Sequence, residues 1–527
     1  MVSPATWSPW GVAIFLLVTS NWVRSGKLAS RNQDTDHWTL ATHTQTVRPL
    51  HDVREMDAEY WNTGAQSTLH QKLARRLLTG RAKNVILFLG DGLSIPTLAA
   101  SRAYLGQSQG HTGEETVLSF EAFPHTGLSK TYCVDSQVAD SACSATAYLG
   151  GVKANIGTIG VMAKVKLNDC KGMRNASNQV TSILKWSQDA GKSTGVVTTT
   201  RVTHASPAGA YSYVANRNWE TDAEVRNSKQ DPEVCDDIAE QLVNNSPGKN
   251  IKVILGGGRK QFRSKNAVDE EGGPGRRTDN VDLIASWETD KKKRGVSYKY
   301  LWNKGQLARV DMNKTEFILG LFSRDHLPYK ILDTSGTIPT LEEMTRVAIR
   351  VMNKNPNGYF LFVEGGRIDH AHHDTKAHLA LDETVEFAKA VQAAADLTDE
   401  EDTLIVVTAD HAHTMSISGY PSRGNDILHL AGTSGVDRLP YATLSYANGK
   451  SYKPRYDLSK ENMNDPNYRY PAAVPLSSET HGGDDVAVFA RGPWSHLYAG
   501  TFEQNFIPHV MAYASCVGKG RTVCDKK

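Results

Sequence analysis

The amino-acid sequence predicts an α/β fold, in which helices flank a central, mostly parallel sheet. Two observations predict it. Short, continuous apolar runs of strand length recur along the chain, and helical stretches such as 341–352 and 377–395 separate them. Continuous apolar runs are typical of strands that are buried on both faces, and strands that alternate with helices form a parallel sheet. The 527 residues suffice for one large domain with insertions.

Four of the apolar runs end in polar residues that can bind ions or substrates. The runs and their polar ends are 84–90 with Asp91, 195–200 with His204 and Ser206, 358–363 with Glu364, and 403–409 with Asp410 and His411. In open α/β sheets, sites form beyond the carboxyl ends of the strands. Clustered carboxylates repel one another unless a cation holds them. We therefore expect these side chains to share one cation-binding edge of the sheet.

The remaining elements complete the predicted domain. Runs 253–258 and 486–490 have strand character without a terminal acid. From about residue 419 to residue 479, Gly, Pro, Asn and Tyr dominate and long apolar runs are absent. This composition predicts a crown-like insertion that lies outside the sheet, as a lid, a dimer contact or a loose surface loop. Residues 55–418 and 480–527 then form the α/β domain.

The chain begins with features of an export signal. Residues 1–20 contain eight consecutive apolar residues, 11–18, whereas a membrane-spanning helix needs about 20. A secretory signal fits this length better, and the polar residues 21–54 are read as an N-terminal extension. No other stretch could span a membrane, and residues 516–527 lack the hydrophobic tail of a lipid-anchor signal. We expect a soluble, secreted or lumenal protein.

The net charge and the cysteine spacing of the chain argue against two classes of function. The formal charge of +2 argues against a nucleic-acid partner, and the absence of a CxxC pair argues against a zinc finger. Export permits disulfides. Cys516 with Cys524 and Cys170 with Cys235 are candidate pairs, and Cys143 is expected to stay free. Candidate glycosylation sites are the sequons at Asn175, Asn244 and Asn313.

The candidate nucleophile lies in the stretch 138–146, where Ser141 follows Asp140 and precedes small, helix-compatible residues. At a helix N-terminus, unpaired N–H groups and the helix dipole favour negative charge. A hydroxyl at this point can attack an electrophile, and small neighbours let a phosphate approach. The alternative is a simple helix cap.

A second motif predicts metal ligands. Asp369 and His373 stand four residues apart, so on a helix they share one face and can bind one ion; a polar, histidine-rich loop is the alternative. Asp410 with His411 supplies a second Asp/His pair, and His481 stands alone in a glycine-rich turn. Mixed Asp/His sets suit zinc, and all-oxygen sets suit magnesium. The oxygen-rich candidates are Asp91, Ser206 and Glu364.

Seven motifs in this order resemble the alkaline phosphatases, in particular the animal secreted and cell-surface type and most of all its arthropod members. The resemblance covers about residues 55–525. The motifs are Phe-Leu-Gly-Asp91-Gly, Asp140-Ser141-Ala, Thr-Thr-Thr-Arg-Val-Thr-His204-Ala-Ser206-Pro-Ala-Gly, Asn216-Arg217-Asn-Trp, Val-Glu364-Gly-Gly-Arg-Ile-Asp369-His-Ala-His-His373, Thr-Ala-Asp410-His411 and Glu-Thr-His481.

The resemblance implies a role for each site residue. It implies that Ser141 becomes phosphorylated by phosphate monoesters and that Arg217 binds two phosphate oxygens. It implies two zinc ions and one magnesium ion per subunit, with His204 close to the magnesium. The implied ligand sets are Asp369, His373 and His481 for one zinc; Asp91, Asp410, His411 and Ser141 for the other; and Asp91, Ser206 and Glu364 for magnesium. It also implies a homodimer, in which Tyr420 reaches the partner's site.

Departures from the family pattern and rival functions are part of the hypothesis. Vertebrate members carry a further calcium site, but Ser323 and Ile338 stand here where acids are expected, so we expect no such site.

One rival function is that of a phosphodiesterase or sulfatase of the same superfamily, which usually uses threonine or a modified cysteine and lacks the magnesium ligands. Another is a non-catalytic surface binding protein, which would be expected to have lost a ligand or the nucleophile. Ser141 and Glu364 argue against both.

Overall fold

The structure, a computed structural model, describes residues 52–525. The predicted secretory signal, 1–20, and most of the predicted extension, 21–54, lie outside the described residues. Between residues 52 and 525, no helix combines the length and the apolar character needed to cross a bilayer.

The strands of the described chain include the six apolar runs. They are β1 (Asn84–Gly90), β2 (His125–Lys130), β3 (Ser193–Arg201), β4 (Val253–Gly257), β5 (Tyr298–Leu301), β6 (Phe317–Leu321), β7 (Tyr359–Gly365), β8 (Thr403–Ala409), β9 (Ala412–His413), β10 (Met415–Ile417), β11 (Leu430–Thr433), β12 (Pro440–Ala442), β13 (Leu444–Gly449), β14 (Ala472–Pro475), β15 (His481–Gly482), β16 (Val486–Arg491) and β17 (Gly500–Glu503). Every residue of β1, β7 and β8 is buried, as their continuous apolar sequences predict.

Ten of these strands form the central sheet, in the order β17-β2-β16-β8-β1-β7-β3-β4-β6-β5. The neighbours run parallel except at β16, which is antiparallel to both β2 and β8. The predicted α/β fold with a mostly parallel sheet is therefore confirmed.

Helices cover both faces of this sheet. The α-helices of residues 52–525, of which α1 buries no residue, are α1 (Ala58–Ala74), α2 (Ile95–Ser108), α3 (Ser141–Gly150), α4 (Cys170–Arg174), α5 (Ile183–Asp189), α6 (Ala205–Ala208), α7 (Asp222–Asn227), α8 (Ile238–Asn244), α9 (Leu283–Lys293), α10 (Lys304–Ala308), α11 (Leu341–Met352), α12 (Arg367–His373), α13 (Ala377–Asp396) and α14 (Phe506–Ser515). Local sequence sets their ends: the Thr340 hydroxyl caps α11 while Glu343 binds back to the Thr340 N–H.

The core has two layers because side chains alternate across each strand. Along β1, Val85, Leu87 and Leu89 join one hydrophobic cluster with helices α3, α5 and α14. Ile86 and Phe88 join the other, with helices α11 and α13. The strands are thus held from both sides, and their carboxyl ends are fixed in position.

The segment 419–479, predicted to be an insertion, forms small sheets of its own with adjoining residues. Strands β10, β13 and β14 make one sheet, and β11 pairs with β12. Apolar residues of this segment, including Leu444 and Tyr470, pack with Ala100 of α2 and Leu381 of α13. None of these strands joins the ten-stranded sheet.

The structure contains both candidate disulfides, Cys170–Cys235 and Cys516–Cys524. It also joins Cys133 to Cys143, so the prediction that Cys143 stays free is wrong. The error has a geometric cause. Two positions along a helix correspond to a rotation of about 200°, and therefore Cys143 points away from Ser141 and toward the loop that contains Cys133.

Candidate active site

The register of the sheet brings the predicted acids together. In the order β8-β1-β7-β3, Leu89 lies beside Glu364, and Gly90 lies beside Ala409. Asp91 and Asp410 are the next residues of their strands, so the three carboxylates follow adjacent strands at one edge. Neighbouring strands are about 4.8 Å apart. All three carboxylates are fully buried.

The candidate nucleophile points into this edge. Ser141 is the first residue of α3 and is 1% exposed, and its Oγ lies 3.3 Å from Nε2 of His411. The cap of the helix is Asp140, whose Oδ1 accepts a hydrogen bond of 3.1 Å from the Cys143 N–H. Since Asp140 caps the helix, the Ser141 hydroxyl is not needed for that purpose.

Asp140 also holds Arg217, the residue that is predicted to bind phosphate. Nη1 of Arg217 donates to Oδ2 of Asp140 at 3.0 Å, and Nη2 lies 3.4 Å from Nε2 of His204. The Gly157 N–H donates to both oxygens of Asp140, each at 3.1 Å. Asp140 therefore fixes the guanidinium at the start of α3, with His204 beside Nη2, and the N–H groups that Asp140 does not occupy remain able to bind an anion.

The first Asp/His group forms around α12, the helix predicted for the Asp369–His373 motif. Oδ1 of Asp369 lies 3.4 Å from Nε2 of His373 and 3.3 Å from Nε2 of His481. The distant His481 arrives because the short strand β15 pairs with β9 and places His481 beside His413. The two predicted histidines are 3.1 Å apart, Nε2 to Nε2.

His413 is a member of this group that the sequence analysis did not assign. Its Nε2 lies 2.7 Å from Oδ1 of Asp369, and its Nδ1 lies 2.6 Å from Oε2 of Glu479. Burial acts to lower the pKa of His413, but the carboxylates of Glu479 and Asp369 raise it to about 10. The available signal was the spacing Asp410-His-Ala-His413, which returns a second histidine to the same side of an extended segment.

The second group contains Asp91, Asp410 and His411. Nε2 of His411 is 3.2 Å from Oδ2 of Asp410 and 3.6 Å from Oδ1 of Asp91. Burial lowers the pKa of His411 well below its usual value, so its imidazole is neutral and able to bind a metal. Burial and the neighbouring Asp410 raise the pKa of Asp91 well above its usual value.

The third group is rich in oxygen. The Ser206 hydroxyl lies 3.5 Å from Oδ2 of Asp91. Oε2 of Glu364 accepts hydrogen bonds from the Thr198 hydroxyl and, at 3.1 Å, from the Thr200 hydroxyl. Burial raises the pKa of Glu364 to about 7. His204 stands beside this group, and burial lowers its pKa well below the usual value.

The second and third groups fit metal ions because several of their buried polar atoms have no hydrogen-bond partner. Oδ1 of Asp91, Oδ2 of Asp410, Oε1 of Glu364 and Nδ1 of His204 are buried without a hydrogen bond. Such atoms cost free energy unless a donor or a cation satisfies them. Apart from a set that contains the disulfide-bonded Cys133 and Cys143, potential ligand atoms of the described residues lie within 4.8 Å of one another in three sets: Asp369, His373, His413 and His481; Asp91, His204 and Glu364; and Asp91, Asp369 and His411.

The two other histidines of the α12 motif lie outside these sets. Nε2 of His372 lies 3.0 Å from the Thr97 hydroxyl, and its Nδ1 lies 2.9 Å from the Tyr446 hydroxyl. His370 stacks edge-on with His326, with ring centroids 4.2 Å apart. His326 was not identified from the sequence, which offers no pattern that links it to the site.

Sequence comparisons place the chain among characterised enzymes. A family model for alkaline phosphatase matches residues 82–517. A membrane-bound alkaline phosphatase of Bombyx mori is 50% identical over 480 residues, which cover 89% of this chain and 87% of that protein. The tissue-nonspecific alkaline phosphatase of Homo sapiens is 46% identical over 500 residues, which cover 92% of this chain and 94% of that protein.

Solved structures agree on the fold. Thermus thermophilus alkaline phosphatase has a TM-score of 0.60 at 23% identity and covers 83% of this chain and 92% of its own. The enzyme of the Antarctic bacterium TAB5 has a TM-score of 0.57 at 20% identity and covers 84% of this chain and 100% of its own; a variant of it was solved with magnesium bound. Because the family model and close relatives span most of the sequence, the chain belongs to the alkaline phosphatase family.

Proposed function

We propose that this phosphomonoester hydrolase works through a phosphoserine formed on Ser141. One observation carries the assignment: the buried Ser141 hydroxyl lies 3.3 Å from His411, beside the fully buried Asp91 and Asp410. The hydroxyl also begins a ten-residue helix, whose N-terminal dipole favours the negative charge of a phosphate. Attack on a phosphate ester at this point is supported both chemically and electrostatically.

We propose that two zinc ions and one magnesium ion bind the three groups. Mixed Asp/His groups suit zinc, and the oxygen-rich group suits magnesium. The magnesium found in the TAB5 variant supports this class of ion. When bound, such ions lower the pKa of a coordinated hydroxyl or water and neutralise developing charge. The residues that would hold them are Asp369, His373 and His481; Asp91, Asp410, His411 and Ser141; and Asp91, Ser206 and Glu364.

The chemistry at Ser141 has two displacements. In the first, Oγ of Ser141 forms a bond to phosphorus, the bond to the alcohol oxygen breaks, and the hydroxyl proton leaves through solvent as the alcohol takes one up. In the second, water attacks phosphorus, the bond to Oγ breaks, and Ser141 regains its proton while inorganic phosphate departs. Overall, one ester and one water give one alcohol and one phosphate.

Arg217 would bind the phosphoryl group during both displacements. Its planar guanidinium can donate to two phosphate oxygens at once, which a lysine cannot do. The 3.0 Å bond to Asp140 fixes the guanidinium on the side of Ser141.

The proposal is tested by Ser141→Ala, with Ser144→Ala on the same helix as its control. We expect Ser141→Ala to take up no labelled phosphate and to lose turnover, whereas Ser144→Ala, whose hydroxyl is buried but outside the ligand groups, keeps both. Near-normal turnover of an aryl phosphate by Ser141→Ala would refute the mechanism.

Chelation tests the metal ions. We expect a chelator to abolish activity and zinc with magnesium to restore it; full activity in chelator would contradict the proposal. Matched monoester, diester and sulfate substrates then separate a phosphatase from the rival esterases, since only the monoester should turn over rapidly.

We further propose that the enzyme is a homodimer. No residue of α1 is buried, and Trp61, Leu69 and Leu73 are 56%, 48% and 74% exposed. Packing of an apolar face supplies most of the stability of a helix in a protein, and α1 fully buries none of its residues within the subunit. A second copy that covers α1 would supply the missing contacts. Light scattering of the purified protein, compared with a Trp61→Ser/Leu73→Ser variant, tests the assignment: the wild type should have twice the subunit mass.

Secretion is also a proposal. Three disulfides suit an oxidising compartment. The predicted glycosylation sites Asn175, Asn244 and Asn313 are all exposed. Protein from the culture medium of expressing cells should lose mass on treatment with a glycosidase that removes N-linked glycans; an unchanged mass would argue against glycosylation.

A further inference from the structure

We propose that the disulfide Cys133–Cys143 positions the active site. It closes the loop that contains the Ala139 carbonyl and the Ser141 hydroxyl, and through Ala139 it aligns His481. This inference rests on the proposed function, because it concerns the residues proposed to attack phosphate and to bind zinc. The cysteines do not touch the substrate and act only through their neighbours.

The closed loop carries three groups of the site. The cysteines are ten residues apart with Cα atoms 5.9 Å from each other, and both are almost fully buried. Within the loop, the Ala139 carbonyl contacts His481, Asp140 binds Arg217, and Ser141 approaches His411. Ser141 belongs to α3, whose residues are all buried, so a shift of the segment before α3 would displace the Ala139 carbonyl and Asp140 together.

The contact with His481 is the most direct consequence. Nδ1 of His481 donates to the Ala139 carbonyl at 2.7 Å. The proton is then on Nδ1, and Nε2 is left to bind a metal beside Asp369 at 3.3 Å and His373 at 3.1 Å. Partners of this kind set the tautomer and the orientation of a metal-binding imidazole. The position of the loop thus decides where Nε2 of His481 points.

Packing holds the segment that precedes α3 weakly, although every residue of α3 itself is buried. The hydrophobic cluster around the disulfide consists, among the described residues, of Cys133, Cys143, Ala139 and Ala154. Its side chains are all small, so little apolar area is buried, and Val134 in the same loop is 55% exposed. Backbone hydrogen bonds, such as that from the Val134 N–H to the Ala154 carbonyl at 3.0 Å, add to the anchoring. The disulfide adds a covalent link between this segment and the buried helix α3.

The chain offers a matched control in Cys516–Cys524. Those cysteines are eight residues apart, at the end of α14, and no group of the site lies between them. Because the two closed loops are similar in length, opening either one should change the entropy of the unfolded chain similarly. Any difference between the two variants then reports on the site and not on general stability.

The experiment compares wild type with Cys133→Ala/Cys143→Ala and Cys516→Ala/Cys524→Ala. Each protein, loaded with zinc and magnesium, is incubated in increasing EDTA well below its unfolding temperature, and bound zinc and activity are measured. We expect the first variant to lose zinc and activity at about tenfold lower EDTA than wild type, since partners of metal ligands are worth roughly 10- to 100-fold in affinity. With zinc saturating, its kcat should be at least about tenfold lower. The control should match wild type in both.

Equal EDTA sensitivity and equal kcat in the two variants would overturn the proposal. A second variant, Cys133→Val/Cys143→Ala, keeps the small cluster filled and serves if the first does not fold. If neither folds while the control does, the bond serves folding and not positioning, and the proposal fails as well. Turnover by Ser141→Ala would instead refute the proposed function, independently of these results.

Discussion

Removal of the metal ions should make folding stability depend on pH through Glu364. Burial raises the pKa of this carboxyl from 4.5 to about 7. The folded state therefore holds the proton more tightly than the unfolded state. The resulting stabilisation is fully present below pH 4.5 and is lost as pH rises through about 7. Since each tenfold change in proton affinity is worth about 1.4 kcal/mol, the loss amounts to about 3 kcal/mol.

Thermal unfolding can measure this loss. Unfolding entropy is about 2.1 cal/mol/K per residue, so for a chain of 527 residues a loss of about 3 kcal/mol lowers the midpoint by about 3 °C. Between pH 5 and pH 8, the midpoint of metal-free wild type should fall by about that much more than the midpoint of metal-free Glu364→Gln. In zinc and magnesium, a bound cation neutralises Glu364, and wild type should not show this fall.

Glu383 provides the control. Burial also raises its pKa to about 7, and it accepts a 2.8 Å hydrogen bond from the Lys330 N–H, outside the ligand groups. Glu383→Gln should therefore weaken the pH dependence equally with and without metal ions. The reasoning is refuted if metal-free wild type and Glu364→Gln show parallel pH curves, or if the contribution of Glu364 persists in the metal-loaded enzyme.

Two further perturbations have calculable effects. Arg217→Ala removes two charge-assisted hydrogen bonds to phosphate, each worth about 1.5–3 kcal/mol, so kcat/KM should fall at least about a hundredfold. Arg217→Lys should recover only part of this loss. A fall in kcat/KM of less than about threefold for Arg217→Ala would contradict the role of Arg217. Cys170→Ala/Cys235→Ala opens a loop whose cysteines have a sequence separation of 65. Because the open loop raises the entropy of the unfolded chain, denaturant titration should show a free energy of unfolding that is lower by about 4 kcal/mol. A loss no larger than that of Cys516→Ala/Cys524→Ala would contradict the dependence on loop length.

The fold was predictable because burial leaves a strong mark on sequence. Strands β1, β7 and β8 are buried on both faces, and each is written as an unbroken apolar run that ends in a chemically active residue. Parallel strands align their carboxyl ends, so Asp91, Glu364 and Asp410 could be expected at one edge before any coordinates were known. The helical spacing of Asp369 and His373 could be read in the same way.

What could not be predicted depends on contacts between distant segments. His413 joins Asp369 only because Glu479, far along the chain, holds its other nitrogen. The pairing of Cys143 depends on which way one turn of α3 faces and on where the loop of Cys133 lies. The spacing of His411 and His413 returns His413 to the same side of the chain, but neither its contact with Asp369 nor the pairing of Cys143 with Cys133 follows from a spacing, because each requires the tertiary arrangement of two segments.

The groups of the site differ in how firmly the fold supports them. Asp91, Glu364 and Asp410 extend from strands whose neighbours are hydrogen-bonded on both sides, so their mutual repulsion cannot be relieved by moving one strand without breaking the sheet. A bound cation can then stabilise the three carboxylates by neutralising their charge. His481 lies on a two-residue strand within a glycine-rich turn and depends on the carbonyl of Ala139 for its orientation. The disulfide that closes the loop of Ala139 therefore acts on the part of the site that the ten-stranded sheet supports least.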